Sequence, residues 1–341
     1  MNNTVIRSRA TGRVTLADVA RVAGVSPITV SRALRGERAV DAALVALVQA
    51  AVSKLGYVPD PAARALASRH SSHVAVLIPM LSNALFVDLL EAVQTTLRAA
   101  GYQTLMAVTH YDASEEEHLL REQLLHRPAG LLVTGLERSD ATRRLIAQSG
   151  VPCVHLMEAS GTEGVYSVGF SQVDASIDMT RHLLQKGRCR IAFAGAQLDA
   201  RTLQRLDGYR QAMHAAGLYD TKLEWLNPAP SSIALGSQMF EQIMAQTPPV
   251  EAIFFGNDDL AQGALLKALR LKIKVPQKVA IAGFNDLTGS DQMLPPLTSV
   301  YTPRAEIGST AANMLLKLMK GELVATPCVD VGYRLVVRGS T

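Results

Sequence analysis

Residues 14–36 read VTLADVARVAGVSPITVSRALRG, and this stretch decides how the chain is organised. Apolar side chains recur at helical spacing from residue 16 to residue 23, which predicts a short amphipathic helix. Thr15 is placed to cap its start, and Gly24 is placed to end it in the left-handed conformation that glycine adopts at low cost. Ser26 then caps a second short helix, whose first position is Pro27. The stretch therefore predicts two helices joined by a tight turn.

A third helix follows over AALVALVQAAVSKLG, with Asp41 before it and Gly56 at its end. Helix, glycine-containing turn, helix and a supporting third helix form the helix-turn-helix plan, in which the second helix enters the DNA major groove. The charge agrees, because residues 1–72 hold ten basic and four acidic side chains in a chain whose net charge is only +4. A basic amino-terminal block on a mildly acidic body is expected where one end faces phosphates.

The same stretch, together with GYVPDPAARALA at residues 56–67, resembles the DNA-binding headpiece and hinge of the LacI/GalR family of transcriptional regulators. This resemblance implies a headpiece over residues 1–59, a hinge helix and linker over 60–72, and an effector-binding domain over 73–341. Its base-reading positions fall on Pro27, Ile28 and Arg32, of which Arg32 can donate two hydrogen bonds to a guanine edge. The residues expected to contact DNA are Thr15, Ser26, Pro27, Ile28, Thr29, Ser31, Arg32, Arg35, Arg64 and Leu66.

The hinge segment begins with Asp60 and Pro61 and is rich in alanine. A helix of one or two turns is marginal alone in water, so its formation is expected to depend on DNA and on a second subunit. The resemblance implies that Leu66 inserts into the minor groove as an apolar wedge. The alternative is an ordinary alanine-rich linker.

From residue 73 onward, short apolar strands alternate with amphipathic helices, which predicts parallel sheets covered on both faces. The series divides near Phe170 into two similar halves. This pattern resembles a periplasmic sugar-binding protein, the fold of the family's sensor domain. The resemblance implies an all-α helix-turn-helix headpiece followed by a two-lobed α/β sensor domain of that kind. The resemblance implies three chain crossings, with a first lobe over about 73–170 and 303–331 and a second lobe over about 171–302 and 332–341.

The cleft between the lobes is where an effector is expected, since ligands of open α/β sheets bind at the carboxyl ends of strands. Arg205 matches the arginine typical of the family's sites, and Arg201 lies one helical turn earlier. Two guanidinium groups on one helix face favour a carboxylate or phosphate, although Arg201 could instead pair with Asp207 or Glu224 at the surface. The expected effector contacts are Ser82, Asn83, Thr134, Glu158, Phe170, Gln172, Asp199, Arg201, Arg205, Ser231, Asn257, Asp258 and Asn285.

DARTLQRLDGYR, PAPSS and GFSQ are similar to segments of the family's gluconate-operon repressors, which implies gluconate or a keto-gluconate as effector. The expected function is thus a DNA-binding repressor whose operator affinity a sugar acid controls, with the effector as inducer. The alternatives are a neutral or phosphorylated sugar as effector, and action as a corepressor-dependent regulator or an activator. The expected partners are a palindromic double-stranded operator and a second copy of the chain, with dimer faces near residues 84–100 and 105–125.

Two other classes are less compatible with the sequence. An enzyme would need an acid–base, nucleophile or metal constellation, and no such spacing is visible, so neither catalysis nor a cofactor or metal is expected. A secreted solute-binding protein would need a signal peptide, whereas MNNTVIRSRATGR is polar and basic. The three cysteines, odd in number and scattered, suit a reducing compartment. A cytoplasmic location without a membrane contact is therefore expected.

Overall fold

A computed structural model describes residues 14–34, 40–58, 71–81 and 84–341. The chain divides into two compact units, Met1–His70 and Ser71–Thr341. The predicted hinge over 60–72, including Arg64 and Leu66, lies almost wholly outside the described residues.

The described residues of the first unit form a headpiece with helices α1 (Leu16–Ala23), α2 (Pro27–Leu34) and α3 (Ala42–Leu55). A capping box starts α1, because the Thr15 hydroxyl accepts from the Asp18 amide at 3.3 Å and the Asp18 carboxylate accepts from the Thr15 amide at 2.9 Å. Gly24 ends this helix at φ 68°, in the left-handed region. The three helices share a small core formed by Val19, Ala20, Val30, Ala33, Val48 and Ala51.

The described part of the second unit contains two parallel sheets, each forming the centre of one lobe, and a separate antiparallel pair of strands. The first lobe has a six-stranded sheet in the order β11-β5-β4-β3-β1-β2, all parallel. Its strands are β1 (His73–Ile78), β2 (Gln103–Val108), β3 (Gly130–Thr134), β4 (Cys153–Glu158), β5 (Tyr166–Phe170) and β11 (Cys328–Asp330). Its helices are α4 (Leu85–Ala99), α5 (Ala113–Leu125), α6 (Asp140–Ser149) and α11 (Arg304–Met319).

The second lobe has a parallel four-stranded sheet in the order β7-β6-β8-β9. Its strands are β6 (Ile191–Ala196), β7 (Glu224–Asn227), β8 (Ala252–Phe255) and β9 (Ala280–Ala282). Its helices are α7 (Gln172–Gln185), α8 (Ala200–Ala215), α9 (Ile233–Met244) and α10 (Asp258–Arg270). An antiparallel pair, β10 (Ser299–Tyr301) and β12 (Arg334–Val336), accompanies the passages of the chain between the lobes.

Strands β1 and β6 were readable from the sequence because they are buried along all or nearly all of their length. Val74 to Ile78 and Ile191 to Ala196 are all buried, so each appears as a continuous apolar run. The sequence missed β7, β10, β11 and β12, which have three or four residues each and include half-exposed positions. Among the described residues, no helix is both long enough and apolar enough to span a bilayer.

Candidate functional site

The carboxyl ends of the strands of both sheets meet at a cleft between the two lobes. The backbone is strained on both sides of it, because His110 and Tyr111 on the first lobe and Gln197 and Leu198 on the second all have positive φ. Non-glycine residues in this conformation persist only where the surrounding structure holds them, and such residues concentrate at functional sites. The cleft is therefore the candidate ligand site of the second unit.

The cleft contains two adjoining cavities, which we name the inner chamber and the outer chamber. The inner chamber has a volume of about 50 Å³ and the outer chamber about 670 Å³. Four residues line both: Tyr111, Gln197, Asp199 and Arg201. The other residues of the inner chamber are Met80, Leu85, Thr202, Arg205, Ser231, Asn257, Asp259 and Asn285.

Arg201 is a buried cation on the first turn of α8, with 6% of its surface exposed. Its Nη2 donates to the Tyr111 hydroxyl at 3.2 Å, and its Nε lies 3.7 Å from the Asp199 carboxylate. Its Nη1 is buried and has no partner among the described residues. Burial acts to lower the pKa of Arg201, but the negative charges of Asp199 and Glu158 outweigh it and hold the pKa above the ordinary value. The side chain is a charged donor with unused hydrogen-bonding capacity.

Arg205 lies one turn further along α8 and is 4% exposed. Its Nε donates to Gln172 Oε1 at 2.9 Å and its Nη1 to the carbonyl oxygen of Gly256 at 2.6 Å. The guanidinium carbon lies over the Phe284 ring, 3.9 Å from the ring centroid, in a cation–π contact. Burial lowers the pKa of Arg205 to about 10, and the charge of Arg201 contributes in the same direction. Both guanidinium groups are thus protonated at neutral pH, and Arg201 Nη1 remains a donor without a partner among the described residues.

Neutral polar groups and the carboxyl group of Asp259 complete the inner chamber. Asn257 caps α10, and its Oδ1 accepts from Ser231 Oγ at 2.9 Å and from the Leu260 amide at 3.1 Å. Asn285 has φ 103°, and its Oδ1 is buried without a partner among the described residues. An unpaired buried acceptor costs free energy that a ligand hydroxyl can recover. The inner chamber thus offers an anion-binding donor and a hydroxyl-binding acceptor.

The outer chamber is lined by both lobes and carries more acidic groups. Glu158 on β4 accepts from Gln204 Nε2 of α8 at 3.1 Å, which joins the two lobes. Arg138 is 6% exposed and pairs with Glu116 at 3.2 Å. Burial and the charge of Arg138 lower the pKa of His155 to about 4, so this imidazole is neutral at pH 7. All three guanidinium nitrogens of Arg138 have hydrogen-bond partners, whereas Arg201 Nη1 has none among the described residues.

The structure brings most of the predicted effector residues to these chambers. Asp199, Arg201, Arg205, Ser231, Asn257 and Asn285 line the inner chamber, and Thr134 and Glu158 line the outer one. Ser82 and Asn83 lie outside the described residues. The alternative of a surface Arg201 is wrong, because Arg201 is buried, Glu224 pairs with Arg210 at 2.6 Å, and Asp207 accepts from Gln211 at 2.8 Å.

Three predicted residues do not line either chamber. Phe170 is 1% exposed and packs against Phe284 in the core. Gln172 is 1% exposed and connects Arg205 to the carbonyl oxygen of Met157, so its contact with a ligand would be indirect. Asp258 is fully buried and accepts from the Leu287 amide, Ser290 Oγ and Ser299 Oγ, which ties α10 to its own lobe.

Six residues of the inner chamber were not among the predicted contacts: Met80, Leu85, Tyr111, Gln197, Thr202 and Asp259. Asp259 neighbours the predicted Asp258, and a step of one residue turns a helical side chain by about 100°. Tyr111 lies three residues after the carboxyl end of β2. Ligands of open α/β sheets bind at such strand ends, so this position indicated a ligand contact. The left-handed conformation of Tyr111, at φ 61°, was not predictable from the residue type.

In the first unit, the exposed side of α2 carries the residues predicted to read bases. Ile28 is 65% exposed and Arg32 is exposed, whereas Val30 and Ala33 on the opposite side are buried in the headpiece core. Ser26 accepts from the Thr29 amide at 3.1 Å and shares a hydrogen bond with the Thr29 hydroxyl, so these two side chains fix the start of the helix. Thr15 is occupied in the cap of α1, Ser31 is half-buried, and Arg35 lies outside the described residues.

Comparison with known proteins accounts for both units. Residues 15–60 match the family model described as bacterial regulatory proteins, lacI family, and residues 180–341 match the periplasmic binding protein-like domain. The chain is 52% identical over 334 residues to the HTH-type transcriptional regulator GntR of Pseudomonas aeruginosa, covering 98% of this chain and 97% of the relative. The chain belongs to the LacI family of bacterial regulatory proteins.

Two further comparisons agree with this membership of the LacI family. The HTH-type transcriptional regulator GntR of Escherichia coli is 37% identical, over 96% of this chain and 98% of the relative. The crystal structure of transcription regulator GntR from Chromobacterium violaceum is 48% identical, with a TM-score of 0.77 over 79% of this chain and 98% of that chain.

Family membership confirms the predicted fold class, a helix-turn-helix headpiece joined to a periplasmic-binding-protein-like α/β domain. LacI-family members are DNA-binding transcriptional regulators, and this chain is a regulator of that kind rather than an enzyme. The arrangement of the cleft suits this role, because its buried charges are placed to hold a ligand between two lobes.

Proposed function

We propose that the chain is a repressor whose operator affinity is controlled by a sugar acid, gluconate or a keto-gluconate, bound in the inner chamber. The observation that carries this proposal is the buried Arg201 guanidinium with an unpaired Nη1, one helical turn from the buried Arg205. A buried charged donor without an acceptor costs free energy. A ligand carboxylate would accept a charge-assisted hydrogen bond from this Nη1.

The dimensions of the cleft also support a sugar acid. A volume of about 50 Å³ corresponds to a few water positions, since one water needs roughly 10–15 Å³ of such space. The inner chamber therefore suits the carboxylate end of a ligand, and the polyol chain has room in the outer chamber. Asn285 Oδ1, Asp199 and Glu158 are acceptors for sugar hydroxyls along this path.

The proposed DNA target is a palindromic operator read by the exposed side of α2. Arg32 would donate to a guanine edge and Ile28 would contact an apolar group such as a thymine methyl. Arg32→Ala is expected to lower operator affinity by about ten- to a hundredfold and to relax discrimination at one guanine. Arg270→Ala, which removes an exposed arginine from α10, is the control and should leave operator binding unchanged.

A homodimer is proposed because a palindromic site is read by two headpieces related by two-fold symmetry. Exposed apolar side chains support the expected faces: Val87 on α4 is 57% exposed, Met106 on the edge strand β2 is 47% exposed, and Leu125 at the end of α5 is 81% exposed. Burial of these side chains against a second copy would be favourable. A regulator of chromosomal operators acts in the cytoplasm, which is where we place this chain.

In the proposed mechanism, two lobe arrangements are in equilibrium and the effector binds one of them more tightly. A coupling of about 1–3 kcal/mol is typical of such systems. We propose that the arrangement favoured by the sugar acid releases the operator, so that the effector is an inducer. An increase of operator affinity with effector would instead indicate a corepressor.

The test of the effector is isothermal titration of the full chain with gluconate and with glucose. Wild-type protein should prefer gluconate, and Arg201→Met should reduce gluconate affinity by about ten- to a hundredfold, the effect of losing a hydrogen bond to a charged group. Arg210→Met, which breaks a half-exposed pair with Glu224 outside the chambers, is the matched control. A wild-type preference for glucose would overturn the sugar-acid proposal.

A further inference from the structure

Tyr111 is the one first-lobe side chain that reaches Arg201 by a hydrogen bond in the described part of the chain. It follows β2 of the first lobe, whereas Arg201 begins α8 of the second. The hydroxyl accepts from Arg201 Nη2 at 3.2 Å, and the guanidinium also lies 5.8 Å from the centroid of the tyrosine ring. Since both residues line both chambers, their contact stands at the boundary between the inner and outer chambers.

Tyr111 keeps an unused hydrogen-bond donor in its contact with Arg201. Burial raises the pKa of Tyr111, so the phenol is neutral at physiological pH. Its oxygen accepts from the Arg201 guanidinium, which has no acceptor of its own, and the phenolic hydrogen is therefore not used in this contact. That hydrogen is available to an acceptor that lies beside Arg201 in the inner chamber.

The backbone shows that this placement is held by the structure around it. His110 and Tyr111 are consecutive residues with φ 48° and 61°, and such conformations cost free energy for residues other than glycine. The following residue, Asp112, anchors the turn, because its carboxylate accepts from the amides of Ser114 and Glu115 at 2.8 Å and caps α5. The turn thus presents the tyrosine to the cleft from a fixed base.

We infer that Tyr111 is a specificity-determining residue that donates to the effector anion from the first lobe while Arg201 donates from the second. This inference rests on the proposed function. An anion in the inner chamber would be held by both lobes at once, which makes its binding depend on their approach. The Tyr111 hydroxyl would thereby connect recognition of the negative charge to the change in lobe arrangement that alters operator affinity.

The test compares wild-type protein with Tyr111→Phe, which removes the hydroxyl and keeps the ring beside Arg201. Gluconate affinity of the full chain, measured by calorimetry, should fall about tenfold or more, whereas affinity for the uncharged gluconolactone, which lacks the carboxylate, should change less than twofold. The ratio of operator affinities without and with saturating gluconate should also become smaller. Tyr219→Phe is the matched control, because its hydroxyl donates to Glu224 outside both chambers.

The outcomes distinguish the role of Tyr111 from the sugar-acid proposal on which it rests. If wild-type protein binds gluconate and Tyr111→Phe binds it within twofold with unchanged operator release, the role of Tyr111 is overturned and the sugar-acid proposal stands. An equal loss for gluconate and the lactone would assign Tyr111 a purely structural role and also overturn the inference. Failure of wild-type protein to bind gluconate or a keto-gluconate would overturn the effector class and the inference together.

Discussion

Arg304 connects Asn285, a residue of the inner chamber, to Asp88 of the first lobe. It begins α11 of the first lobe, is 8% exposed, and donates through Nη1 to the carbonyl oxygen of Asn285. Its Nε and Nη2 lie 3.0 and 2.9 Å from one carboxylate oxygen of Asp88 on α4. Because Asn285 lines the inner chamber, Arg304 joins a residue of the candidate site to α4.

We predict that Arg304→Met lowers the free energy of unfolding by about 2–4 kcal/mol. The methionine keeps much of the apolar stem, so the loss is mainly the charge-assisted bond to the buried Asn285 carbonyl, worth roughly 1.5–3 kcal/mol. The Asp88 carboxylate is 50% exposed, so its contribution is about 0–1 kcal/mol. Gluconate affinity should fall as well, because Asn285 loses its support.

The assay is urea denaturation followed by the fluorescence of Trp225, the single tryptophan. The matched variant is Asp88→Asn, which removes the charge but keeps an oxygen that can accept from Arg304. It should cost no more than about 1 kcal/mol. A free energy of unfolding of Arg304→Met within about 0.5 kcal/mol of wild type would refute this prediction. An equal loss in Asp88→Asn would refute it as well, since the hydrogen bond to the buried carbonyl oxygen would then not be the main contribution.

Three further predictions concern packing, pH and thiol reactivity. Gly263→Ala should destabilise the second lobe by about 1–3 kcal/mol in urea melts despite alanine's better helix propensity, because the added Cβ would clash with the Ile233 carbonyl oxygen. An unchanged midpoint would contradict the close helix crossing. Burial raises the pKa of Asp258 to about 7 from an ordinary 3.8. The free energy of unfolding should therefore fall by up to about 4 kcal/mol as the pH rises from 4 to 7, and this contribution should be constant above pH 7. Asp258→Asn should become more stable relative to wild type over that interval, and parallel pH profiles of the two proteins would show that the group does not titrate there. Iodoacetamide at pH 8 should modify the exposed Cys189 well before Cys153, whose pKa burial raises to about 12; equal rates by mass spectrometry would contradict this.

The sequence was most informative where local pattern and tertiary role coincide. The headpiece was predictable because caps, turn and apolar spacing lie within one short stretch from Thr15 to Leu34. Strands β1 and β6 were predictable because their burial requires continuous apolar runs. The short strands β7, β10, β11 and β12 were not, since their half-exposed positions leave no such run to separate them from loops.

The candidate site was harder to predict because ligand contacts depend on side-chain direction. Asp258 and Asp259 are equivalent in the sequence, yet Asp258 is enclosed by three donors and only Asp259 lines the inner chamber. Likewise, the burial of Arg201 follows from the approach of the other lobe, which no property of α8 alone reveals. The role of Tyr111 depends on two consecutive left-handed residues, a feature set by the surrounding fold.

We propose that a sugar acid bound in the cleft controls DNA binding. The most direct test of this proposal is fluorescence anisotropy of the full chain with a labelled fragment of its own upstream promoter, titrated with gluconate and, separately, with glucose. We expect sequence-specific binding that weakens by about five- to 150-fold at saturating gluconate and is unaffected by glucose. Operator binding that gluconate leaves unchanged, or a response to glucose alone, would contradict the account.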